Sequence, residues 1–303
     1  MSTGVLQRLD RAQKRNTTLS VAVATFKKFS DDKSANFAAM IAFWAFFSVF
    51  PLLLVLVTLL AIFLPASDKD SVLGHVAQLF PLLNPKTISG LSGAWWTIVL
   101  GLATALWSGS GVVRTAQYAF NSVWGTPPDQ QPGLVKQVTR SISVLATIGL
   151  GLVLTTLLSG LVASSASGVN LGAVGRVGGY LLSLALDIGI FVAAFRILTE
   201  RDVTTRDVLP GALLSGTAFF ALEALSTLII SRYLKNAQST YGQFATVITI
   251  LWWFYLQSMI TMLGAQLNVV LKQHDYPRSL TDASVTEADK RRQAAAGGAS
   301  PES

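Results

Sequence analysis

Long apolar stretches separated by short polar ones set the pattern of this chain. Between Lys235 and Lys272 lie 36 residues without a charge, running through Ile248, Leu251, Trp252, Trp253, Phe254 and Leu263. About 20 apolar residues suffice to cross a hydrocarbon layer of about 30 Å as a helix. Further charge-free stretches run from Ser34 to Ser67, Thr87 to Val113 and Ser141 to Gly175. Two more, Val177–Phe195 and Val208–Ser231, are each broken by a single acid, Asp187 and Glu223. The pattern predicts an all-α polytopic membrane protein built as a bundle of six transmembrane helices. Their expected positions are about 37–64, 94–113, 141–164, 178–197, 208–231 and 244–271.

Around this 34–272 membrane domain the pattern changes. Residues 1–33 form a polar N-terminal segment with an amphipathic stretch at Leu19, Val23, Phe26 and Phe29, flanked by Lys27 and Lys28. Such a helix either lies along the inner leaflet or packs on the bundle's own loops. No cleavable signal is expected, since the first apolar run is too long and starts too late. Residues 273–303 are polar, end rich in alanine and glycine, and are expected to be a disordered tail. Inside the first span, Pro51 removes a backbone donor and crowds the carbonyl of Phe47, which predicts a kink, with Ser48 placed to help satisfy the backbone. Gly125–Thr126–Pro127–Pro128 marks a turn after the second span. Gly160, Ser164 and Gly168 at four-residue spacing suit close helix packing.

Composition agrees with the pattern. Charged residues make up 13% and hydrophobic ones 51%, against about 25% charged in soluble domains. With no cysteine, disulfides and thiolate metal sites are excluded. The net charge of +7 would suit nucleic acid, but its distribution points elsewhere. Eighteen Lys and Arg fall in the N-terminal segment, the alternate loops 114–140 and 196–206, and the tail, against five in the intervening loops. Positive residues stay on the cytoplasmic side, so both termini are expected there and no nucleic-acid partner is expected.

Candidate chemistry is sparse. Asp187 and Glu223 are the acids expected within the membrane, roughly 13 Å and 12 Å from the outer ends of their spans at 1.5 Å per residue. On adjacent antiparallel helices they would sit at similar depth and could share a proton. Intramembrane acids often mark ion or substrate paths; the alternative is two protonated carboxyls bonded to Ser, Thr or backbone carbonyls. A second cluster is expected at the inner mouth. Arg114, Gln117 and Asn121 share a helical face if the second helix continues, and Gln266 and Asn268 approach from the last span. It could bind an anionic headgroup, or Arg114 could be a snorkelling anchor. The only histidines, His75 and His274, are expected on opposite sides of the membrane, so they cannot build one metal site. No phosphate-cradling Gly-rich loop with a following Lys is present, and a hydrolase triad has no support. Neither an enzyme nor a cofactor is expected.

Several local patterns together resemble the YihY/BrkB membrane family. They are Ser48–Val49–Phe50–Pro51–Leu52–Leu53, Trp107–Ser108 leading to Asn121 and Trp124, Pro210–Gly211–Ala212, Tyr241–Gly242, and Trp252–Trp253 followed by Gly264–Ala265–Gln266–Leu267–Asn268. The resemblance covers roughly residues 30–272. The family pattern usually has glutamate where this chain has Gln266, which removes a proton-carrying role there. The resemblance implies a six-helix protein of the bacterial cytoplasmic (inner) membrane. Labels carried in the family include ribonuclease BN and a virulence or serum-resistance role, beside proposals of envelope-lipid transport. The leading expectation is a transport-type protein moving envelope lipid or another amphiphile between leaflets, with membrane lipids as partners. The alternative is a membrane scaffold assembling with itself or an envelope protein. A ribonuclease is a distant third, because such chemistry needs clustered metal ligands.

Overall fold

The computed structural model describes residues 13, 16–63, 95–127, 133, 136–137, 139–144, 172–226, 244–279 and 286–290. Among them every regular element is helical: α1 (Thr17–Asp31), α2 (Ser34–Phe63), α3 (Trp95–Val123), α4 (Gly172–Leu198), α5 (Thr205–Ala224) and α6 (Ala245–Lys272). Within α2, α4 and α6, three segments are long and apolar enough to cross a membrane: Ser34–Leu52, Val177–Leu198 and Val247–Lys272. Of the third expected span only residues 141–144 are described, and they are helical. The remainder, with Gly160, Ser164, Gly168 and His75, lies outside the described residues.

Local chemistry sets the helix ends. The Asn16 side chain accepts from the N–H groups of Thr18 and Leu19 at 3.0 and 3.4 Å, capping α1. At the end of α3, Gly125 takes φ 71°, a left-handed conformation open to glycine at little cost. It lets the Thr126 N–H reach the Asn121 carbonyl at 2.9 Å and the Gly125 N–H that of Ser122 at 3.0 Å. This is the double closure by which many helices satisfy their last carbonyls. His274 does the same after α6 with φ 52°; Asp275 donates to the Val270 carbonyl at 3.0 Å. The first turn of α5 is held by Asp207, which accepts from the Thr204 N–H at 2.9 Å and its hydroxyl at 2.8 Å. Lys272 pairs with the other oxygen of Asp207 at 2.8 Å. The hydrogen bond from Lys272, with those from Thr204, holds the Asp207 carboxyl at about 2.

α2 passes through Pro51 as one helix. Ser48 does not serve the carbonyl that the proline leaves without a partner: its hydroxyl donates to Ala45 at 2.7 Å. The second expected span continues ten residues beyond its expected end, carrying Arg114, Gln117 and Asn121 on α3. α5 runs to Ala224, short of the expected 208–231, and residues 227–231 of that span lie outside the described residues.

The helices pack in the order α3, α2, α6, α5, α4, with α1 against α6 and a smaller contact between α3 and α4. Small residues permit the closest approaches. A Cβ on Gly111 of α3 would fall 2.4 Å from the Trp44 ring of α2, and one on Gly216 of α5 2.7 Å from Ile188 of α4. The tightest crossing joins α5 to α6. There a Cβ on Gly211 would meet the Gly264 carbonyl at 2.1 Å, and one on Gly264 the Ser215 hydroxyl at 2.0 Å. The core draws on Ala38 and Ile41, Ala116 to Val123, Phe195 and Leu198, Val208 and Ala212, and Met262 to Val269. These are the start of α2, the ends of α3 and α4, the start of α5 and the end of α6, so the core gathers where α1 sits. Elsewhere large apolar groups such as Phe47, Leu106, Tyr180 and Leu181 are exposed, an arrangement that lipid solvates and water does not.

α1 turns Ser20, Ala24, Thr25 and Lys28 toward the bundle, with Phe29 packed in part against the core, while Phe26 is 64% exposed. The expectation of a disordered tail does not hold for residues 273–279 and 286–290. Arg278, 5% exposed, lies between Asp31 and Asp289 at 3.0 and 3.1 Å, and Gln13 donates to its carbonyl at 2.7 Å. Lys27 lies 3.6 Å from Asp289. Burial works against the Asp289 carboxylate. The Thr286 hydroxyl, the N–H groups of Ser279 and Thr286 and the Arg278 guanidinium outweigh it and hold the carboxyl well below the usual range. The tail is therefore pinned by charge-assisted bonds that polar composition alone did not reveal.

Candidate functional site

Asp187 sits in the middle of α4 and Glu223 in the last turn of α5, one residue from its end. The helices that carry them are neighbours. Asp187 is half-buried and Glu223 exposed on the helical surface. Neither has a hydrogen-bond or ion-pair partner among the described residues. Asp187 shares its helix with Ile188, which Gly216 of α5 touches, so the closest part of the α4–α5 seam lies beside the acid.

Hydrogen bonds do not join the expected inner polar residues into one cluster. Arg114 donates to the Ser110 carbonyl of its own helix at 3.3 Å and lines a cavity of about 270 Å³ with Met40, Trp44, Gly111, Thr115 and Tyr118. Asn121 is fully buried, and its side-chain oxygen accepts from the Glu200 N–H at 2.8 Å, tying α3 to the turn after α4. Asn268 accepts from the Gly211 N–H at 2.6 Å. Gly211 follows Pro210, whose ring disturbs the helical ladder there, so Asn268 supplies an acceptor where the helix is weakened. Gln266 faces the other way, donating to Asp32 at 3.0 Å and to the Ser34 hydroxyl at 2.7 Å. Asp32 also receives Lys28, whose ammonium is buried and donates in addition to the Val123 carbonyl at 2.9 Å. This buried Lys28–Asp32–Gln266 node joins α1, α2, α3 and α6. Lys28 and Asp32 read in sequence as an i,i+4 pair on a solvated helix face, so nothing in their spacing signals the burial.

A family model described as virulence factor BrkB matches residues 25–289. The chain belongs to the BrkB family. YfkH of Bacillus subtilis, provisionally named a ribonuclease-like protein, is 25% identical over 263 residues, covering 81% of this chain and 93% of that protein. A UPF0761 membrane protein of Pseudomonas paraeruginosa is 27% identical over 256 residues, 79% of this chain and 60% of the relative. Another from Xanthomonas axonopodis pv. citri is 25% identical over 276 residues, 85% of this chain and 62% of the relative. This BrkB-family chain thus spans less than two thirds of those two longer relatives. No solved structure matches.

Two of the motifs that carry the BrkB resemblance meet in space. Pro210–Gly211–Ala212 and Gly264–Ala265–Gln266–Leu267–Asn268 face each other at the α5–α6 crossing, where glycine meets glycine and Asn268 bonds Gly211. Gln266 stands where the family pattern has an acid, and its amide donates to the Asp32 carboxylate. A neutral donor at this position avoids a second negative charge against Asp32. Among the described residues no three His, Cys, Asp or Glu side chains gather in a metal-binding group.

Gln117 stands apart. It is 1% exposed, and neither its oxygen nor its nitrogen has a partner among the described residues. A buried amide without bonds costs about 1–3 kcal/mol, and replacing it with an apolar group of similar shape removes that cost. Gln117→Met is therefore expected to melt at or above the wild-type temperature, by up to about 2 kcal/mol of added stability. A melt in detergent checks this; marked destabilisation would show that Gln117 has acquired bonds in the membrane.

Proposed function

We propose that this BrkB-family membrane protein is a transport-type protein of the bacterial inner membrane, with six spans and both termini cytoplasmic. Its cargo on this reading is an envelope lipid or another amphiphile carried between leaflets. The observation that carries it is the Asp187–Glu223 pair, two acids on adjacent packed helices, neither with a hydrogen-bond or ion-pair partner among the described residues. Acids that served only as packing glue would be bonded to hydroxyls or carbonyls, and these have no such partner among the described residues. An unpaired acid within an apolar helix is costly to keep, which favours a role in proton exchange or substrate contact. The charge asymmetry of the loops supports the orientation.

The test is translocation of a fluorescent lipid in proteoliposomes, comparing wild type with Asp187→Asn and Glu223→Gln. Each substitution is expected to reduce protein-dependent translocation at least about tenfold, equivalent to about 1.4 kcal/mol on the barrier, while membrane insertion and melting stay unchanged. Unaltered flux in both variants would remove the acids from the path. A change in oligomeric state or stability with no flux in any form would favour the scaffold reading.

A further inference from the structure

Below the acids, toward the end where α1 sits, a groove of about 570 Å³ opens along α4. Its floor is a single helical stripe: Gly189, Val192, Ala193, Arg196 and Ile197, at spacings of three and four that place all five on one face. Gly189 has nothing within 4 Å of where a Cβ would stand, so the stripe is open at its apolar end. Seven residues, about 10 Å along the helix, separate that opening from Arg196. At the polar end the groove is walled by Arg140, Thr199, Glu200, Arg201 and Asp202.

The charges there are not balanced. Glu200 is taken up by Lys136 and Arg140. Arg196 donates to the neutral Thr205 hydroxyl at 3.1 Å, and neither Arg196 nor Arg201 pairs with a carboxylate among the described residues. Asp202 is the remaining acid in the wall. The carbonyl end of α4 disfavours an anion, an effect that Arg196 in its last turn offsets. The Thr199 hydroxyl lines the groove, is 3% exposed and has no hydrogen-bond partner among the described residues. A buried hydroxyl without a partner, beside two guanidinium groups lacking carboxylates, is a set of donors awaiting an acceptor.

We infer that this groove binds an anionic phospholipid, its phosphate held by Arg196, Arg201 and Thr199 and an acyl chain lying along Gly189, Val192 and Ala193. Guanidinium groups bind phosphate oxygens through paired, charge-assisted bonds. The apolar stripe continuing from them matches the joint between a headgroup and its tail, which a free anion would leave uncovered. The site stands whether or not the chain moves lipid, since binding alone fills it.

Native mass spectrometry of the full chain in detergent tests this with phosphatidylglycerol, phosphatidylcholine and inorganic phosphate. Phosphatidylglycerol is expected to bind at least about tenfold more tightly than phosphatidylcholine, whose choline cation offsets the phosphate charge and is repelled by the two guanidinium groups. The preference should vanish in Arg196→Gln/Arg201→Gln and persist in Arg206→Gln, an exposed arginine outside the groove. Should the double variant fold poorly, Arg201→Gln alone, altered on an exposed turn, is expected to lose most of the preference. A photoreactive side chain at Val192 should form its adduct with lipid. Preference retained in the double variant, or lost equally in Arg206→Gln, would overturn the proposal. So would displacement by inorganic phosphate, which would mark a small-anion site, or a Val192 adduct within the chain itself.

Discussion

Gly211→Ala is expected to destabilise the protein by about 3 kcal/mol, at the upper end of what an overpacked contact costs. A methyl there would stand 2.1 Å from the backbone oxygen of Gly264 and 2.5 Å from the Asn268 side-chain oxygen. The first of these cannot rotate away. The two helices must separate, and separation breaks the 2.6 Å bond from the Gly211 N–H to Asn268. Alanine's better helix propensity returns at most about 1 kcal/mol, too little to reverse the sign. Gly178→Ala is the internal control: nothing lies within 4 Å of its Cβ position, so it should be neutral or stabilising by up to about 1 kcal/mol. Thermal melts in detergent on both variants decide the matter. Equal melting of the two would mean that α5 and α6 do not cross as closely as the glycines allow.

Asp32→Asn is expected to cost as much. It removes the carboxylate charge that the Lys28 ammonium, whose side chain is 2% exposed, pairs with. Breaking one side of a buried ion pair costs about 3–5 kcal/mol, whereas removing both charges is often close to neutral. The double variant Lys28→Met/Asp32→Asn should therefore be more stable than Asp32→Asn alone, with a coupling of about 2 kcal/mol between the two sites. A double-mutant cycle on melting free energies measures it. Additive effects would show that the ammonium finds water or another acceptor.

The features legible in the sequence are those encoded locally. Charge-free runs placed the long described helices, and the Gly125 turn follows from residue types whose backbone chemistry is short-range. What stayed hidden depends on rotation about helix axes or on partners far along the chain. Gln266 and Asn268 lie two residues apart and so point to different sides of α6. One bonds Asp32 and the other Gly211, where polarity alone suggested a shared mouth. α5 ends after Ala224 with neither glycine nor proline to announce it. Depth counting placed Asp187 and Glu223 at a similar level, but only packing can say which way either carboxyl turns. The α4 groove was invisible for the same reason: Arg140, Arg196 and Arg201 read as separate loop charges until the fold set them around one stripe.

The contact between the chain's two ends carries a consequence for how the polypeptide threads its bilayer. Gln13 touches Arg278, Lys27 lies against Asp289, and Asp31 pairs with Arg278. Whatever path the chain follows from Ser34 to Lys272 must therefore return to the face from which it set out. The six proposed passes, an even number, meet that requirement. A three- or five-pass arrangement would part these bonds by the thickness of the hydrocarbon layer, about 30 Å. Inverting the whole molecule would carry both ends across together, so its insertion has two outcomes to choose between rather than four.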